Sequence, residues 1–248
     1  MNKMFLKPER TSTKFQVPWK LKDILIVFLI SSFAGLLSLS DYVILFIGLF
    51  LKDTSGQKLL IYYLFGMIIL LTPIIWVNKI YKAKIETLGI RKGRWSLSLT
   101  IIIGIGAGVA YYFPALAIQG LSLDFDRFLT KCFVAMSSIQ IFGDIFSCVL
   151  TPIAEEVVDR GFIYGYLRKR LPVLFALVVQ SIVFALSHGD LIMSNNPIPQ
   201  IIHKFILGLI LGALYEVSAS LYPAMVCHGT FNFLSARIPV SMGSNFWL

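Results

Sequence analysis

Seven apolar stretches run through this chain, and each is close to the length that a helix needs to cross a lipid bilayer. They cover approximately residues 24–50, 59–78, 95–118, 132–167, 172–188, 199–217 and 221–237. A spanning helix requires about 20 mostly apolar residues. Only 14% of this sequence is charged, whereas soluble domains contain about 25% charged residues. The pattern therefore predicts an all-α fold, a polytopic transmembrane helical bundle with seven or eight spans.

Two of these stretches are longer than one straight span. The first is interrupted at Asp41, which we interpret as an interfacial or kink residue. The stretch 132–167 contains Pro152. Because proline lacks an N–H and its ring clashes with the preceding turn, we expect a kink there or a short helix before the true span. The sequence leaves seven and eight helices open.

The basic residues predict how the chain lies in the membrane. Lys and Arg concentrate in three polar segments: Lys3, Lys7, Arg10, Lys14, Lys20 and Lys22; Lys79, Lys82, Lys84, Arg91, Lys92 and Arg94; and Arg168, Lys169 and Arg170. Short loops rich in these residues stay in the cytoplasm, so we expect a multi-pass protein of the cell membrane with a cytoplasmic N-terminus. The net charge of +9 then reflects topology and anionic lipid, and no nucleic-acid partner is predicted.

The same pattern predicts three parts of the chain. These are a basic cytoplasmic segment (1–23), N-terminal membrane helices (24–129) and a membrane core (130–240). The core contains the polar residues with chemical potential, so it is where we expect function to lie.

Four ionisable side chains interrupt the stretch 132–167, in the segment TPIAEEVVDRGFIYG. Charges at mid-bilayer cost about 2.5–3.5 kcal/mol each and usually face the protein interior or a water-filled cavity. In a regular helix, Glu156 and Arg160 are one turn apart, which predicts an internal ion pair. Glu155 and Asp159 share another face. A desolvated carboxylate beside a second carboxylate suits a general base.

Two later helices supply histidines. His188 follows Phe184 by one turn, and His228 precedes Asn232 by one turn. Counting about 1.5 Å per residue from the loops places these groups at depths similar to that of the acidic segment. We therefore predict that four side chains converge: Glu155, His188, His228 and Asn232. His203, near a helix end, is instead interpreted as a hydrogen-bonded core residue.

Such a set suits peptide hydrolysis. A glutamate base with a histidine can activate a water, and a second histidine with an asparagine amide can donate to the oxyanion. The other grouping is a metal site, in which His188, His228 and Glu155 bind zinc or another divalent ion and leave one position open. The sequence contains no H-E-x-x-H motif, so it leaves a metal-free and a metal-dependent site open.

The motifs also resemble a known family. They are Glu155-Glu156-x-x-x-Arg160, Phe184-x-x-x-His188, Phe205-x-x-Gly208 and His228-x-x-x-Asn232. Their order and spacing resemble the CPBP or Abi family, which includes CAAX proteases and bacteriocin-processing or bacteriocin-immunity proteins. The resemblance covers about residues 130–237. In eukaryotic members the substrate is a prenylated C-terminal CAAX tail.

The resemblance implies an intramembrane endopeptidase acting on a peptide or a membrane-protein segment, with a role in bacteriocin or peptide processing or in self-immunity. It implies Glu155 as the base and His188 as the holder of the water or of a metal. It also implies that His228 and Asn232 line the oxyanion site. Supporting positions are Glu156, Asp159, Arg160 and Phe184.

Asp159 departs from the family pattern, in which this position is usually apolar or aromatic. The extra carboxylate would change the protonation of Glu155, attract a cation or disturb the site.

The main alternative to a peptidase is a non-enzymatic membrane immunity or scaffold protein on the same fold. A transporter with a proton relay is less favoured, because the sequence lacks internal repeats and paired broken helices.

Overall fold

A computed structural model describes residues 17–38, 41–49, 54–124, 138–188, 191 and 194–242. Its helices are α1 (Leu21–Ser38), α2 (Asp41–Gly48), α3 (Thr54–Ile75), α4 (Leu97–Ile118), α5 (138–168), α6 (Val173–Ser187), α7 (Pro197–Ser218) and α8 (Tyr222–Arg237). A π turn at Trp76–Ile80 extends α3, and a 3₁₀ turn at Ile85–Leu88 precedes α4. The antiparallel strands β1 (Leu121–Leu123) and β2 (Val240–Met242) pair at one end of the bundle. The predicted all-α fold is confirmed.

The helices are those of a membrane protein. Three of the described helices are long and apolar enough to cross a bilayer: Ser55–Ile80, Leu97–Ile118 and Pro197–Ser218. The outward side of α4 exposes Ile102, Ile105 and Phe113, and a soluble monomer rarely exposes such a contiguous apolar patch. The number of crossings and the side of the N-terminus stay predictions. The interruption of the first stretch lies where we expected it, because α2 begins at Asp41.

Helix α5 continues through Pro152 by widening its turns. It runs as α (Ser138–Ile145), π (Phe146–Leu150), α (Thr151–Glu156), π (Val157–Tyr164) and α (Gly165–Arg168). The N–H of Thr151 donates to the carbonyl of Phe146, five residues earlier. A π turn makes room for a proline ring that would crowd the preceding turn of an α-helix. No separate helix precedes Pro152 within 138–168, and the assumption of regular α periodicity was wrong for Val157–Tyr164.

Small residues bring the helices around the acidic segment close together. A Cβ on Gly208 would lie 3.0 Å from Cβ of Ser181, and one on Gly212 would lie 2.7 Å from Cδ2 of Leu177. The two glycines therefore let α7 pack tightly on α6, as their small-xxx-small spacing predicts. Helix α4 packs along α8 on the other side.

Residues 17–20, which we call the N-terminal strap, dock on the second half of α5. The ring of Trp19 stacks on Phe162 with centroids 4.6 Å apart. Its Nε1 donates to the Phe162 carbonyl at 2.9 Å. Nζ of Lys169 donates to the carbonyl of Val17 at 3.0 Å. Both Val17 and Trp19 are buried, so the strap is an integral part of the bundle.

Asp23 joins the strap to α1 and to the end of α3. Its carboxylate accepts hydrogen bonds from the backbone N of Lys20 at 2.7 Å, from Nε1 of Trp76 at 3.2 Å and from the Tyr81 hydroxyl. Burial raises the pKa of Asp23, but these hydrogen bonds outweigh it and leave the pKa below its usual value. Burial and the contact with Asp23 raise the pKa of Tyr81 to about 12, so the hydroxyl stays a donor.

Candidate active site

Three of the four predicted side chains meet at one point inside the bundle. Oε2 of Glu155, on α5, lies 3.7 Å from Nε2 of His188 and 3.7 Å from Nε2 of His228. His188 caps the C-terminal end of α6, and His228 lies on the second turn of α8. The side chains of Glu155 and His188 are 27% and 23% exposed, whereas Oε2 of Glu155 itself is buried.

Glu156 forms the buried base of the site. Its Oε1 accepts from Nη1 of Arg160 at 2.8 Å and from Nδ1 of His228 at 2.9 Å. The side chains of Glu156 and Arg160 are both completely buried, and the predicted ion pair is confirmed as a contact. Sequence spacing did not indicate that Glu156 also holds His228, because that contact joins two different helices.

Phe184 supports the site from α6. Its buried ring lies under the guanidinium of Arg160, with Cζ 4.2 Å from the ring centroid. The same ring contacts His188 edge-on at 4.7 Å and His228 at 5.9 Å between centroids. A cation over an aromatic face is stabilised electrostatically. The ring therefore packs simultaneously against the ion pair and both imidazoles.

The hydrogen bonds of the two histidines determine which nitrogen carries the proton. Nδ1 of His188 lies 2.6 Å from the carbonyl oxygen of Phe184, and Nδ1 of His228 faces the Glu156 carboxylate. Both partners accept only, so both Nδ1 atoms donate. In a neutral ring, each Nε2 then carries a lone pair directed at Glu155. Among the described residues nothing donates to Oε2 of Glu155. Three acceptor atoms thus face one another.

Asn232 lies one turn beyond His228, and one N–H of its amide is already used in a hydrogen bond. Its Nδ2 donates to the carbonyl of Ser147 at 2.9 Å. That carbonyl has no helical donor, because Thr151 N–H reaches back to Phe146 and the next residue is Pro152. The bond orients the amide and leaves its second N–H for another acceptor. Asn232 therefore lies one turn beyond His228, and its convergence on the same point stays a prediction.

Comparison with known families adds an independent observation. The model of the family described as type II CAAX prenyl endopeptidase Rce1-like matches residues 137–234. Residues 137–234 of the chain are thus similar to the Rce1-like family. The matched segment includes α5 to α8 almost entirely and contains every side chain placed above in the site. No curated protein and no solved structure matches the chain. This similarity supports a protease that works in a membrane on peptide substrates.

Asp159 lies in the π segment of α5, four residues after Glu155, and it is 6% exposed. The family pattern that we described has an apolar or aromatic residue there. The π turn changes the angular position of Asp159 relative to a regular α-helix. Asp159 and Glu155 are therefore not aligned on one face as the i,i+4 spacing of a regular α-helix predicts. Its effect on the site stays a prediction.

His203 and a neighbouring cavity lie beside the site. His203 is buried, its ring stacks on Phe231 at 5.9 Å, and its carbonyl accepts from Tyr111, which agrees with a core residue. A cavity of about 430 Å³ begins at Asn232 and is also lined by Lys204. It therefore adjoins the predicted oxyanion side of the Rce1-like core.

The donor set resembles a zinc site in its chemistry. Two imidazole nitrogens and one carboxylate oxygen face one another, and each histidine donates its other N–H, as metal-bound histidines do. However, two ligands of a tetrahedral zinc lie about 3.3 Å apart for bonds of about 2.0–2.1 Å, and the separations here are 3.7 Å. No group of three or more His, Cys, Asp or Glu in the described residues is arranged to hold a metal. We therefore derive no step through a metal ion, and the metal-dependent alternative stays a prediction.

Proposed function

We propose that this protein is an intramembrane endopeptidase that hydrolyses a peptide bond with a water activated by Glu155 and His188. The observation that carries the proposal is the meeting of Oε2 of Glu155 with Nε2 of His188 and Nε2 of His228. A water molecule at this point can donate one proton to Glu155 and the other to Nε2 of His188. Two atoms that accept from one water at about 2.8 Å are separated by about 4.5 Å, so Glu155 and His188 would move apart from the observed 3.7 Å to hold it.

The proposed reaction uses Glu155 as general base and then as general acid. The oxygen of the water forms a bond to the carbonyl carbon of the substrate while one of its protons passes to Glu155. The carbonyl electron pair moves onto the oxygen, which becomes an oxyanion. When the oxyanion collapses, the C–N bond breaks, and the proton held by Glu155 goes to the leaving nitrogen. His188 holds the water through its Nε2 lone pair.

The proposed oxyanion donors are His228 and Asn232. His228 stands between two carboxylates, with Nδ1 2.9 Å from Oε1 of Glu156 and Nε2 3.7 Å from Oε2 of Glu155, and its ring can donate to the oxyanion when Nε2 carries a proton. The second N–H of Asn232 is oriented by the bond of the first to Ser147. Preorganised donors of this kind lower the barrier because they need no reorientation when charge develops.

The substrate class that we propose is a peptide or a segment of a membrane protein, in peptide or bacteriocin processing or in self-immunity. Support comes from the similarity of residues 137–234 to the Rce1-like family and from a site that lies among apolar helices yet remains partly exposed. The multi-pass arrangement and the cytoplasmic N-terminus belong to the same proposal.

The decisive test is Glu155→Gln at protein levels matched to wild type. The amide keeps the shape of the side chain but cannot accept and return a proton. We expect a peptide precursor to accumulate, or a product to vanish, when membrane and secreted peptides of the host are compared by mass spectrometry. Glu86→Gln is the matched control, because it makes the same change at an exposed position of the 3₁₀ turn.

Unchanged peptides in Glu155→Gln would refute hydrolysis. If an immunity phenotype also persisted in that variant, the protein would be a non-enzymatic immunity or scaffold protein on a protease fold. Loss of the phenotype together with a peptide change would show that immunity depends on cleavage.

A further inference from the structure

One polar side chain beside the candidate active site has no part in the chemistry described so far. Thr151 lies on α5 one turn before Glu155, in the regular α segment Thr151–Glu156. Residues four apart in an α-helix share a face, so Thr151 lies on the face that carries Glu155. Its Oγ1 is buried, and among the described residues it has no hydrogen-bond partner. A buried hydroxyl without a partner is uncommon in folded proteins and requires an explanation.

Thr72 shows what a threonine hydroxyl commonly does on a helix. Its Oγ1 donates to the carbonyl of Ile68, four residues earlier, at 2.6 Å, which is a frequent contact of threonine on helices. The equivalent acceptor for Thr151 is the carbonyl of Ser147, which accepts instead from Nδ2 of Asn232 at 2.9 Å. The proton of the Thr151 hydroxyl is therefore not used within α5.

Two contacts between α5 and α8 lie on either side of Thr151. Four residues after it, Oε2 of Glu155 is 3.7 Å from Nε2 of His228. Four residues before it, the carbonyl of Ser147 accepts from Asn232. Along α5, Thr151 thus lies midway between the carboxylate proposed to activate the water and the carbonyl that orients the proposed oxyanion donor.

The proposed chemistry needs hydrogen-bond donors near Glu155, because this carboxylate accepts and negative charge develops on the substrate beside it. In a neutral ring, Nε2 of His228 carries a lone pair and donates only after it gains a proton. One of the two N–H groups of Asn232 is already used. A threonine hydroxyl always carries one proton that it can donate, without a change in its ionisation. Thr151 is therefore a suitable donor on the α5 side of the site.

We propose that Thr151 is a further catalytic residue, whose hydroxyl donates a hydrogen bond to the carbonyl oxygen of the scissile peptide bond as that oxygen becomes an oxyanion. The proton stays on Oγ1, and Thr151 forms no covalent bond to the substrate. Because the hydroxyl gives up no partner on the described protein, the bond to the oxyanion forms without breaking another. This inference rests on the proposed function, in which Glu155 activates the water.

Thr151→Val and Thr151→Ser test this role in the full-length protein in detergent micelles. The probe is a synthetic copy of the host peptide precursor that accumulates with Glu155→Gln. Valine keeps the branched shape without the hydroxyl, so kcat should fall by about 10²–10³-fold, as expected for the loss of an oxyanion donor, whereas KM should change little. Serine keeps the hydroxyl and should retain most of kcat. Thr72→Val makes the same change where the hydroxyl is paired within α3 and should leave kcat unchanged.

Thermal unfolding of the same proteins separates a catalytic role from a structural one. Thr151→Val removes a hydroxyl that has no partner among the described residues, so its unfolding midpoint should not fall below that of wild type. A wild-type kcat in Thr151→Val would overturn the proposal, and so would a loss of kcat that is accompanied by a lower midpoint. Equal losses of kcat in Thr151→Val and Thr151→Ser would overturn it as well. If Thr151→Val does not accumulate in the membrane, Thr151→Ala is the second variant without a hydroxyl.

Glu155→Gln distinguishes a failure of this inference from a failure of the proposed function. An inactive Glu155→Gln together with a fully active Thr151→Val would remove only the role of Thr151. Unchanged host peptides in Glu155→Gln would remove the proposed hydrolysis and the role of Thr151 together.

Discussion

Asn232→Ala should destabilise the protein because of a proline on another helix. The change removes the donor to the Ser147 carbonyl, which Pro152 deprives of a helical partner. Leaving such a carbonyl unsatisfied costs about 1–3 kcal/mol. In a Pro152→Ala background, residue 152 regains an N–H five residues after Ser147, in the same register as the bond from Thr151 to Phe146. The cost of Asn232→Ala should then fall by about 1 kcal/mol or more, since the carbonyl has a new donor.

The assay is a double-mutant cycle of equilibrium unfolding in detergent micelles. It uses wild type, Asn232→Ala, Pro152→Ala and the double variant. The cycle cancels the packing lost with the proline ring, because that loss is present in both Pro152→Ala proteins. Asn195→Ala, at an exposed position, is the control. Additivity of the two changes within about 0.5 kcal/mol would refute the explanation by Pro152.

The same four proteins separate the structural role of Asn232 from its proposed role in the reaction. Removal of an oxyanion donor lowers kcat by about 10²–10³-fold. We expect Pro152→Ala to restore stability to Asn232→Ala but not to restore kcat. Restoration of both would show that Asn232 acts only through the Ser147 carbonyl.

Three further changes and one treatment test other parts of the structure. Arg160→Met should lower the free energy of unfolding by about 3–5 kcal/mol, because it leaves the Glu156 carboxylate buried without its cation. Adding Glu156→Gln should recover part of this loss, measured as membrane abundance and unfolding free energy. No recovery in the double variant would contradict the ion pair. Gly229→Ala should cost about 1–3 kcal/mol, since its Cβ would collide with the carbonyl oxygen of Cys148 on α5. Gly106→Ala, with nothing within 4 Å, is the control and should be neutral or stabilising. Equal unfolding free energies for the two variants would argue against this contact. The lowered pKa of Asp23 means that its stabilisation is complete above the ordinary aspartate pKa of about 3.9 and is lost as pH falls through the lower pKa of the folded state. Asp23→Asn should therefore lower the free energy of unfolding at neutral pH and weaken its dependence on pH below about pH 4. The same pH dependence below about pH 4 in the variant and in wild type would contradict this role. Hydrolysis should survive dialysis against a chelator, and activity that disappears and returns with zinc would establish the metal-dependent alternative.

The sequence predicts those contacts of the acidic segment that join residues of the same helix. Glu156 and Arg160 are one turn apart, and a charge in an apolar environment requires a partner, so their pairing follows from spacing. The convergence of Glu155 with His188 and His228 also follows, because polar groups in membrane helices turn toward the interior. Counting residues from the loops was sufficient to place them at similar depths.

The class of fold, the membrane environment and the three side chains that meet at the site thus follow from the hydropathy and the spacing of residues along the chain. What each atom of that site does depends on how the helices pack. Glu156 orients His228, and Asn232 satisfies the Ser147 carbonyl, through contacts between different helices. Periodicity describes only one helix at a time, whereas these contacts depend on how α5 and α8 are rotated against each other. The π turns on both sides of Pro152 change the angular positions of the residues along α5, and the spacing of residues in the sequence does not indicate them.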